Sequence, residues 1–160
     1  MLMRAIAGAA LVVSMAVFSS SAMAQQPYGM NISVDAAKKA SAAAVAVARK
    51  NNWFMAVAVT DTAGNLVYFE RMDNTQNGSI NIAIGKARSA ALFRRPTKLF
   101  QDLLSKGSEF SYLLGLEGAV MVQGGIPVVQ DGKIVGAIGV SGATGVQDTQ
   151  VAEAGLAALK

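Results

Sequence analysis

The sequence predicts an α+β domain in which helices pack against an antiparallel sheet. Three observations predict it. An alanine-rich segment near the start has strong helix propensity, turn dipeptides (Gly64-Asn65 and Asp131-Gly132) join short apolar runs, and the C-terminal segment carries a helix-capping pattern. Because hairpin links join antiparallel neighbours, we expect one helix, two strands, two helices, three strands and a final helix in a single domain.

Residues 1–24 have the pattern of a cleavable secretory signal and are set apart from the fold. Arg4 precedes an apolar run, and Ala22 and Ala24 form an A-x-A cleavage pattern. The alternative is an N-terminal membrane anchor, but the run is shorter than the ~20 apolar residues that a spanning helix needs. We therefore expect a periplasmic or secreted protein whose one domain covers residues 25–160.

The first half of this domain is predicted to hold a helix, a hairpin and two further helices. The stretch ISVDAAKKASAAAVAVARKNN predicts a helix with Ser33 as its N-cap. WFMAVAVTD is apolar on both faces, as in a central strand covered on two sides, and LVYFERM is its hairpin partner. INIAIGKARSAALFRR, capped by Ser79, and KLFQDLLSK, capped by Thr97 and closed by Gly107, predict the next two helices.

The second half is predicted to hold three consecutive strands and a helix. The stretch AVMVQGGIPVVQDGKIVGAIGVSG contains them, with the first strand at AVMVQ and a bend at the glycine pair. Asp131-Gly132 is a two-residue hairpin signal. Thr144 and Gln147 form a capping box, which begins the terminal helix.

The composition excludes several classes of function. The chain has no cysteine and no histidine, so thiol nucleophiles, histidine bases, disulfides and histidine ligation of zinc or haem iron are ruled out. The net charge is +4, and the lysines and arginines are scattered. A nucleic-acid-binding protein usually has a basic face with stacking aromatic residues, so we expect no nucleic-acid partner.

A run of glycines at every third position, Gly136, Gly139, Gly142 and Gly145, raises the question of a phosphate site. The spacing matches neither a P-loop nor a dinucleotide fingerprint, and Ser141 is not in a nucleophile elbow. The remaining interpretations are close packing of the terminal helix on strand glycines, turn geometry, or a loop that lines a ligand.

Charged residues offer one further candidate site. Arg94 and Arg95 could bind a carboxylated ligand, because the guanidinium group is a bidentate donor. The alternative is that they complement the dipole at the C-terminus of a helix. The carboxylates show no spacing that specifies an acid/base pair, so we expect no catalytic residues.

The stretch GGIPVVQDGKIVGAIGVSGATGVQDTQVAEAGLAAL, preceded by AIGKARSAALFRRPT, resembles the GlcG/HbpS-like haem-binding family, which is related to the PduO C-terminal domain. The resemblance covers nearly all of the chain after residue 24. It implies a five-stranded antiparallel sheet flanked by helices, with a layout like that of profilin and PAS domains. It also implies a symmetric homo-oligomer that binds haem or a related tetrapyrrole, with a membrane-bound redox sensor as a partner.

The resemblance also implies the residues of a binding site. Propionates of the tetrapyrrole would face Lys86, Arg94 or Arg95, and Tyr112 would lie in the wall of a pocket. The iron ligand stays open, because some relatives use a histidine that this chain lacks. The full set of expected binding residues is Lys86, Arg94, Arg95, Tyr112, Gly124, Gly125, Ser141, Gly142 and Asp148.

These observations favour an exported haem-binding protein that acts as a haem carrier or as an accessory to redox sensing. Two alternatives stay open. One is an enzyme that acts on a tetrapyrrole or a small metabolite, whose chemistry would depend on the cofactor. The other is a non-catalytic module whose oligomer surface is its function.

Overall fold

The computed structural model describes residues 26–160, so the expected secretory signal lies outside the described residues. The elements, in chain order, are α1 (Val34–Lys50), β1 (Ala56–Thr60), β2 (Leu66–Arg71), α2 (Gly78–Phe93), α3 (Lys98–Leu104), a 3₁₀ helix (Ser108–Gly115), β3 (Gly125–Gln130), β4 (Lys133–Ser141) and α4 (Gly145–Ala157).

The strands of the described region form one antiparallel sheet in the order β2-β1-β4-β3. The α+β class predicted from the sequence is therefore confirmed. The two central strands pair in a register that places Ala58 opposite Gly139. All residues of β1 are buried, as expected for a strand covered on both faces.

The two faces of the sheet carry different cores. Under α1 and α4, Val57, Val59 and Ile138 pack among alanines and valines of both helices. Under α2 the contact is made by small residues, for example Ala58 with Ala87. Small side chains on both sides let α2 lie close to the sheet.

Gly139 explains this close approach. A Cβ atom at Gly139 would collide with the backbone of Ala83 and Ala87 in α2. The prediction that strand glycines allow a close contact is confirmed, but the expected neighbour, the terminal helix, was wrong. That helix instead uses its own Gly155, where a Cβ would lie 2.8 Å from the carbonyl oxygen of Ala40 in α1.

The prediction of five strands is wrong for the described chain, which has four. The segment expected to form the additional strand, residues 119–123, runs along α2 instead. The Val120 N–H bonds to the Ser89 hydroxyl (3.1 Å), and the Gln123 N–H bonds to the Gln101 side chain (3.0 Å). Side chains of α2 and α3 thus accept hydrogen bonds from backbone N–H groups that a fifth strand would have donated to a neighbouring strand.

The helix ends match the predicted caps in part. Ser33 caps α1, and Thr144 with Gln147 forms the expected capping box of α4. Ser79 does not cap α2, which begins at Gly78, two residues before the predicted start. Thr97 precedes α3 as predicted, but its hydroxyl accepts from the N–H of Gly125 (3.0 Å) instead of capping the helix. None of the helices within residues 26–160 is long and apolar enough to cross a membrane.

Candidate functional site

A buried ion pair joins α2 to α4 at the end of the central strand β4. The Lys86 ammonium lies 2.7 Å from Asp148 Oδ2, and it also donates to the carbonyl oxygen of Val140 (3.0 Å). The two side chains are only 1% and 2% exposed. Asp148 in turn accepts from the N–H of Ala143 (3.2 Å) through its other oxygen. Both charged groups are therefore supplied with partners inside the protein.

Burial changes the acidity of this carboxyl group. Removal from water raises the pKa of Asp148 above its ordinary value of 3.8. The hydrogen bond and the positive charge of Lys86 lower this pKa, as do hydrogen bonds from the backbone N–H groups of Ala143 and Gly142. Together they lower it by less than burial raises it.

Two of the motif glycines leave room for the ion pair. Gly124 has a φ of +117°, and a Cβ there would lie 2.8 Å from the Asp148 Cβ and 2.9 Å from the Lys86 Nζ. A Cβ at Gly125 would collide with the Lys86 carbonyl oxygen. Larger residues at either position would push the lysine or the aspartate away, so the G-G pair is explained by the packing around the salt bridge.

The remaining glycine and serine of the expected site lie at the same end of β4. A Cβ at Gly142 would collide with the carbonyl oxygen of Phe54. The buried Ser141 hydroxyl bonds to that of Ser79 in α2 (3.1 Å). The structure thus gathers six of the expected residues into one region, which we call the α2–α4 ion-pair region: Lys86, Gly124, Gly125, Ser141, Gly142 and Asp148.

The N-terminus of α4 bears on whether the glycine run lines an anion site. The Gln147 N–H donates to the Thr144 hydroxyl, and the N–H of Ala143, just before the helix, donates to Asp148. Asp148 already supplies a negative charge to the helix dipole in the first turn. These contacts support the packing and turn interpretations of the glycine run.

Arg94 and Arg95 lie at the C-terminal end of α2. They are half-buried, whereas the ion pair is almost fully buried. Arg94 is the C-cap residue, with a φ of +53°, and its guanidinium lies 5.3 Å from the centre of the Tyr28 ring. Arg95 lies 5.8 Å from the centre of the Phe100 ring and donates to the Phe93 carbonyl oxygen (3.0 Å). Both arginines are half-buried, so their cationic groups are held against aromatic rings while remaining in reach of solvent.

Tyr28 supports this end of α2, although it is not among the expected binding residues. Its hydroxyl donates to the carbonyl oxygen of Ala91 (2.8 Å), and its backbone bridges to Ile134 of β4. An aromatic residue in an otherwise polar leader was the one available signal. Ser79, predicted from the sequence to be a helix cap, also lies outside the expected site.

Tyr112 lies in the 3₁₀ helix and is 64% exposed. Its phenol therefore lies on the surface, whereas the resemblance led us to expect it in the wall of a pocket. Two grooves on the described chain lie elsewhere and measure about 150 and 260 Å³. Drug-sized ligands usually occupy ≈ 300–1,000 Å³, so neither groove encloses a ligand as large as a tetrapyrrole. No cluster of three acidic, cysteine or histidine residues within residues 26–160 could hold a metal ion.

Comparison with known proteins places this arrangement in a family. The family model described as "Haem degrading protein HbpS-like" matches residues 32–157, which include both the ion pair and the two arginines. The chain belongs to the HbpS-like family. Within it, the E. coli (strain K12) protein GlcG is 42% identical over 94 residues, 59% of this chain and 69% of GlcG.

Solved structures agree with the family assignment. A double mutant of Streptomyces reticuli HbpS is 32% identical, with a TM-score of 0.76 over 96% of this chain and 99% of HbpS. A PduOC–haem complex is 26% identical, with a TM-score of 0.72 over 81% of this chain and 95% of PduOC. The HbpS-like resemblance predicted from the sequence is confirmed. Direct contact between the nine expected residues and a tetrapyrrole stays a prediction.

Proposed function

We propose that this protein binds haem. The observation that carries the proposal is membership of the HbpS-like family over residues 32–157, together with the similarity of the fold to that of a PduOC–haem complex. Neither of the two grooves described above is large enough to enclose a tetrapyrrole.

Two arginines are suited to the acidic edge of haem. Arg94 and Arg95 present guanidinium groups at the end of α2, and charge-assisted hydrogen bonds to carboxylates are among the stronger ones in proteins. Lys86 is a poorer candidate than the sequence suggested. Its ammonium is buried against Asp148, so a propionate could reach it only if that ion pair opened.

The chain offers few side chains that could ligate haem iron. When bound, haem would supply redox chemistry at its iron, and tyrosine is a known axial ligand in other haem proteins. Tyr112 is the most exposed tyrosine of the described chain, while the Tyr28 hydroxyl is bonded to Ala91. We therefore propose Tyr112 as the phenol available to the iron.

Titration of haemin into the purified protein tests the proposal. We expect a Soret band that saturates at a fixed ratio and differs in position from that of haemin with an unrelated protein of equal net charge. The unrelated protein controls for non-specific binding by cations. A spectrum identical to that control would overturn the proposal.

Haem degradation is a second candidate, favoured by the family description alone. In such a reaction the chemistry would come from the haem itself. Incubating the haem complex with peroxide or with a reductant, followed by mass analysis of the pigment, distinguishes the two. Ring-opened product above that formed by free haemin would support degradation, and unchanged haem would leave binding alone.

We further propose that the protein works outside the cytoplasm, as a homo-oligomer and as a carrier or redox-sensing accessory of a membrane-bound sensor. The leader pattern in residues 1–24 supports export. Cell fractionation with mass analysis of the N-terminus tests it: we expect recovery outside the cytoplasm with Gln25 as the first residue. An uncleaved chain in the cytoplasm would contradict export and the sensor role with it.

A further inference from the structure

An asparagine–glycine pair lies at the start of α2. Asn77 is the residue before the helix and Gly78 is its first residue, and both are exposed. In such a pair the backbone nitrogen of the glycine can attack the side-chain amide of the asparagine, because glycine has no Cβ to obstruct the approach. The sequence contains no other asparagine followed by glycine.

The surroundings of Gly78 leave its backbone nitrogen free to react. A Cβ at this position would meet no atom within 4 Å, so the peptide faces open space. Within residues 26–160 the Gly78 N–H has no hydrogen-bond acceptor, as is usual for the first residue of a helix. No hydrogen bond of the described chain therefore has to break before this nitrogen loses its proton.

The backbone of Asn77 is held only weakly in its helical conformation. Attack requires the Asn77 ψ to leave its value of −37°, because the nitrogen must swing toward the side chain. The Asn77 carbonyl oxygen accepts from the Ile80 N–H at 3.3 Å, longer than the usual range of about 2.7–3.2 Å. The Asn77 side chain makes no cap bond to the helix. Fraying of this terminal turn is therefore sufficient for the rotation.

Arg71 of β2 binds the side-chain carbonyl group that is attacked. Its Nη2 donates to Asn77 Oδ1 (2.9 Å) and also to the backbone carbonyl oxygen of Thr75 (2.9 Å). The second bond keeps the guanidinium beside Asn77. When a nucleophile adds to the amide carbon, negative charge develops on Oδ1, and a cationic donor already placed there stabilises that charge.

We propose that Asn77 is a site of self-modification, at which Arg71 promotes conversion of the side-chain amide to a carboxylate. The Gly78 nitrogen bonds to Asn77 Cγ, the Cγ–Nδ2 bond breaks, and the Gly78 proton leaves with the amide nitrogen as ammonia. Water then opens the cyclic imide at either carbonyl, which gives aspartate or isoaspartate at position 77. Overall, water is consumed and ammonia is released.

The aspartate product fits its surroundings better than the amide does. The first turn of α2 has no acidic residue, so the positive end of the helix dipole lacks a carboxylate there. A carboxylate at position 77 supplies that charge and forms a charge-assisted hydrogen bond with Arg71. We expect Asn77→Asp to raise the urea midpoint of unfolding, and an unchanged or lower midpoint would contradict this fit.

The rate of conversion is measured by incubating the folded protein at neutral pH. A lysine-specific protease releases residues 51–86 as one peptide, and tandem mass analysis locates each converted asparagine in it. Asn74, which is exposed and followed by Thr75, is the internal control. We expect Asn77 to give both aspartate and isoaspartate while Asn74 stays unchanged.

Arg71→Met separates the proposal from the ordinary reactivity of an asparagine–glycine pair. Because this variant lacks the cationic donor, we expect it to convert Asn77 about tenfold more slowly than the wild type, the loss of one charge-assisted hydrogen bond. In concentrated urea, where Arg71 is no longer held beside Asn77, the two chains should convert at equal rates. Thermal unfolding shows that each variant is folded at the temperature of the incubation.

A second variant tests the route of the reaction. Gly78→Ala leaves Arg71 and Asn77 in place but puts a methyl group beside the attacking nitrogen, so we expect it to suppress the conversion. The proposal is overturned if Asn77 in the folded wild type converts no faster than Asn74, or if either variant converts Asn77 as fast as the wild type. All these measurements are made without haem, so none of them bears on the proposed haem binding.

Discussion

Lys86 Nζ and Asp148 Oδ2 lie 2.7 Å apart, with both side chains almost fully buried, and they tie α2 to α4 across the end of β4. Two glycines, Gly124 and Gly125, leave the space that the pair occupies. Breaking a buried pair by removing one partner leaves an uncompensated charge, which is usually costly. The first predictions test this contact.

Replacing Lys86 by methionine should lower the free energy of unfolding by about 3–5 kcal/mol, because Asp148 would remain buried without its counter-ion. Urea unfolding measures the loss. Lys98→Met is the matched control, since its pair with Asp102 is half exposed and such helix pairs contribute below about 0.5 kcal/mol. Equal losses in the two variants would contradict the special role of the buried pair.

The loss in Lys86→Met should depend on pH. Burial raises the pKa of Asp148 in the folded state, and removing the Lys86 ammonium, which lowers that pKa, should raise it further. A carboxyl group with a raised folded-state pKa favours folding below its unfolded-state pKa and loses that contribution as pH rises.

The difference in stability between wild type and Lys86→Met should therefore be greatest near neutral pH and shrink as the pH falls toward about 4. Urea midpoints across this range measure it. Lys98→Met, measured in parallel, should show little pH dependence. A difference for Lys86→Met that stays constant from neutral to acidic pH would disprove the assignment to Asp148.

Gly139→Ala should destabilise the fold by about 1–3 kcal/mol, because the added methyl group would collide with the backbone of Ala83 and Ala87. Thermal unfolding checks the effect. Gly78→Ala provides the control: no atom lies within 4 Å of a Cβ there, and alanine is the better helix former. If both variants unfold at the wild-type temperature, α2 does not lie as close to β4 as described.

Arg95→Gln and Arg94→Asn should each weaken haemin binding about tenfold, the loss of one charge-assisted hydrogen bond. Asparagine is chosen for position 94 because it tolerates the positive φ of that residue. Soret titration measures the affinity. Lys38→Gln, which removes a charge from α1 on the other side of the sheet, should leave it unchanged. A haemin affinity unaltered in both arginine variants would place the propionates elsewhere.

The sequence by itself determined the class of the fold, the family and several element boundaries. The two-residue turn at Asp131-Gly132, the Ser33 cap and the Thr144 capping box depend on contacts within a few residues, so a local pattern could specify them. The glycines in the predicted strand likewise indicated a close contact with another element. The turn and the two caps are local because each is built from neighbours in the chain.

Only the tertiary structure decided which neighbours the glycines and charges meet. The sequence could not show that Lys86 pairs with Asp148, 62 residues away, or that Gly139 lies against α2 and not α4. The sequence wrongly predicted a strand at residues 119–123. An apolar run indicates burial, but it does not show which groups its backbone N–H and carbonyl groups bond to. Ser89 and Gln101, distant in sequence, bond to that segment and keep it out of the sheet. Pairings across such distances depend on how helices and strands pack, which no local pattern encodes.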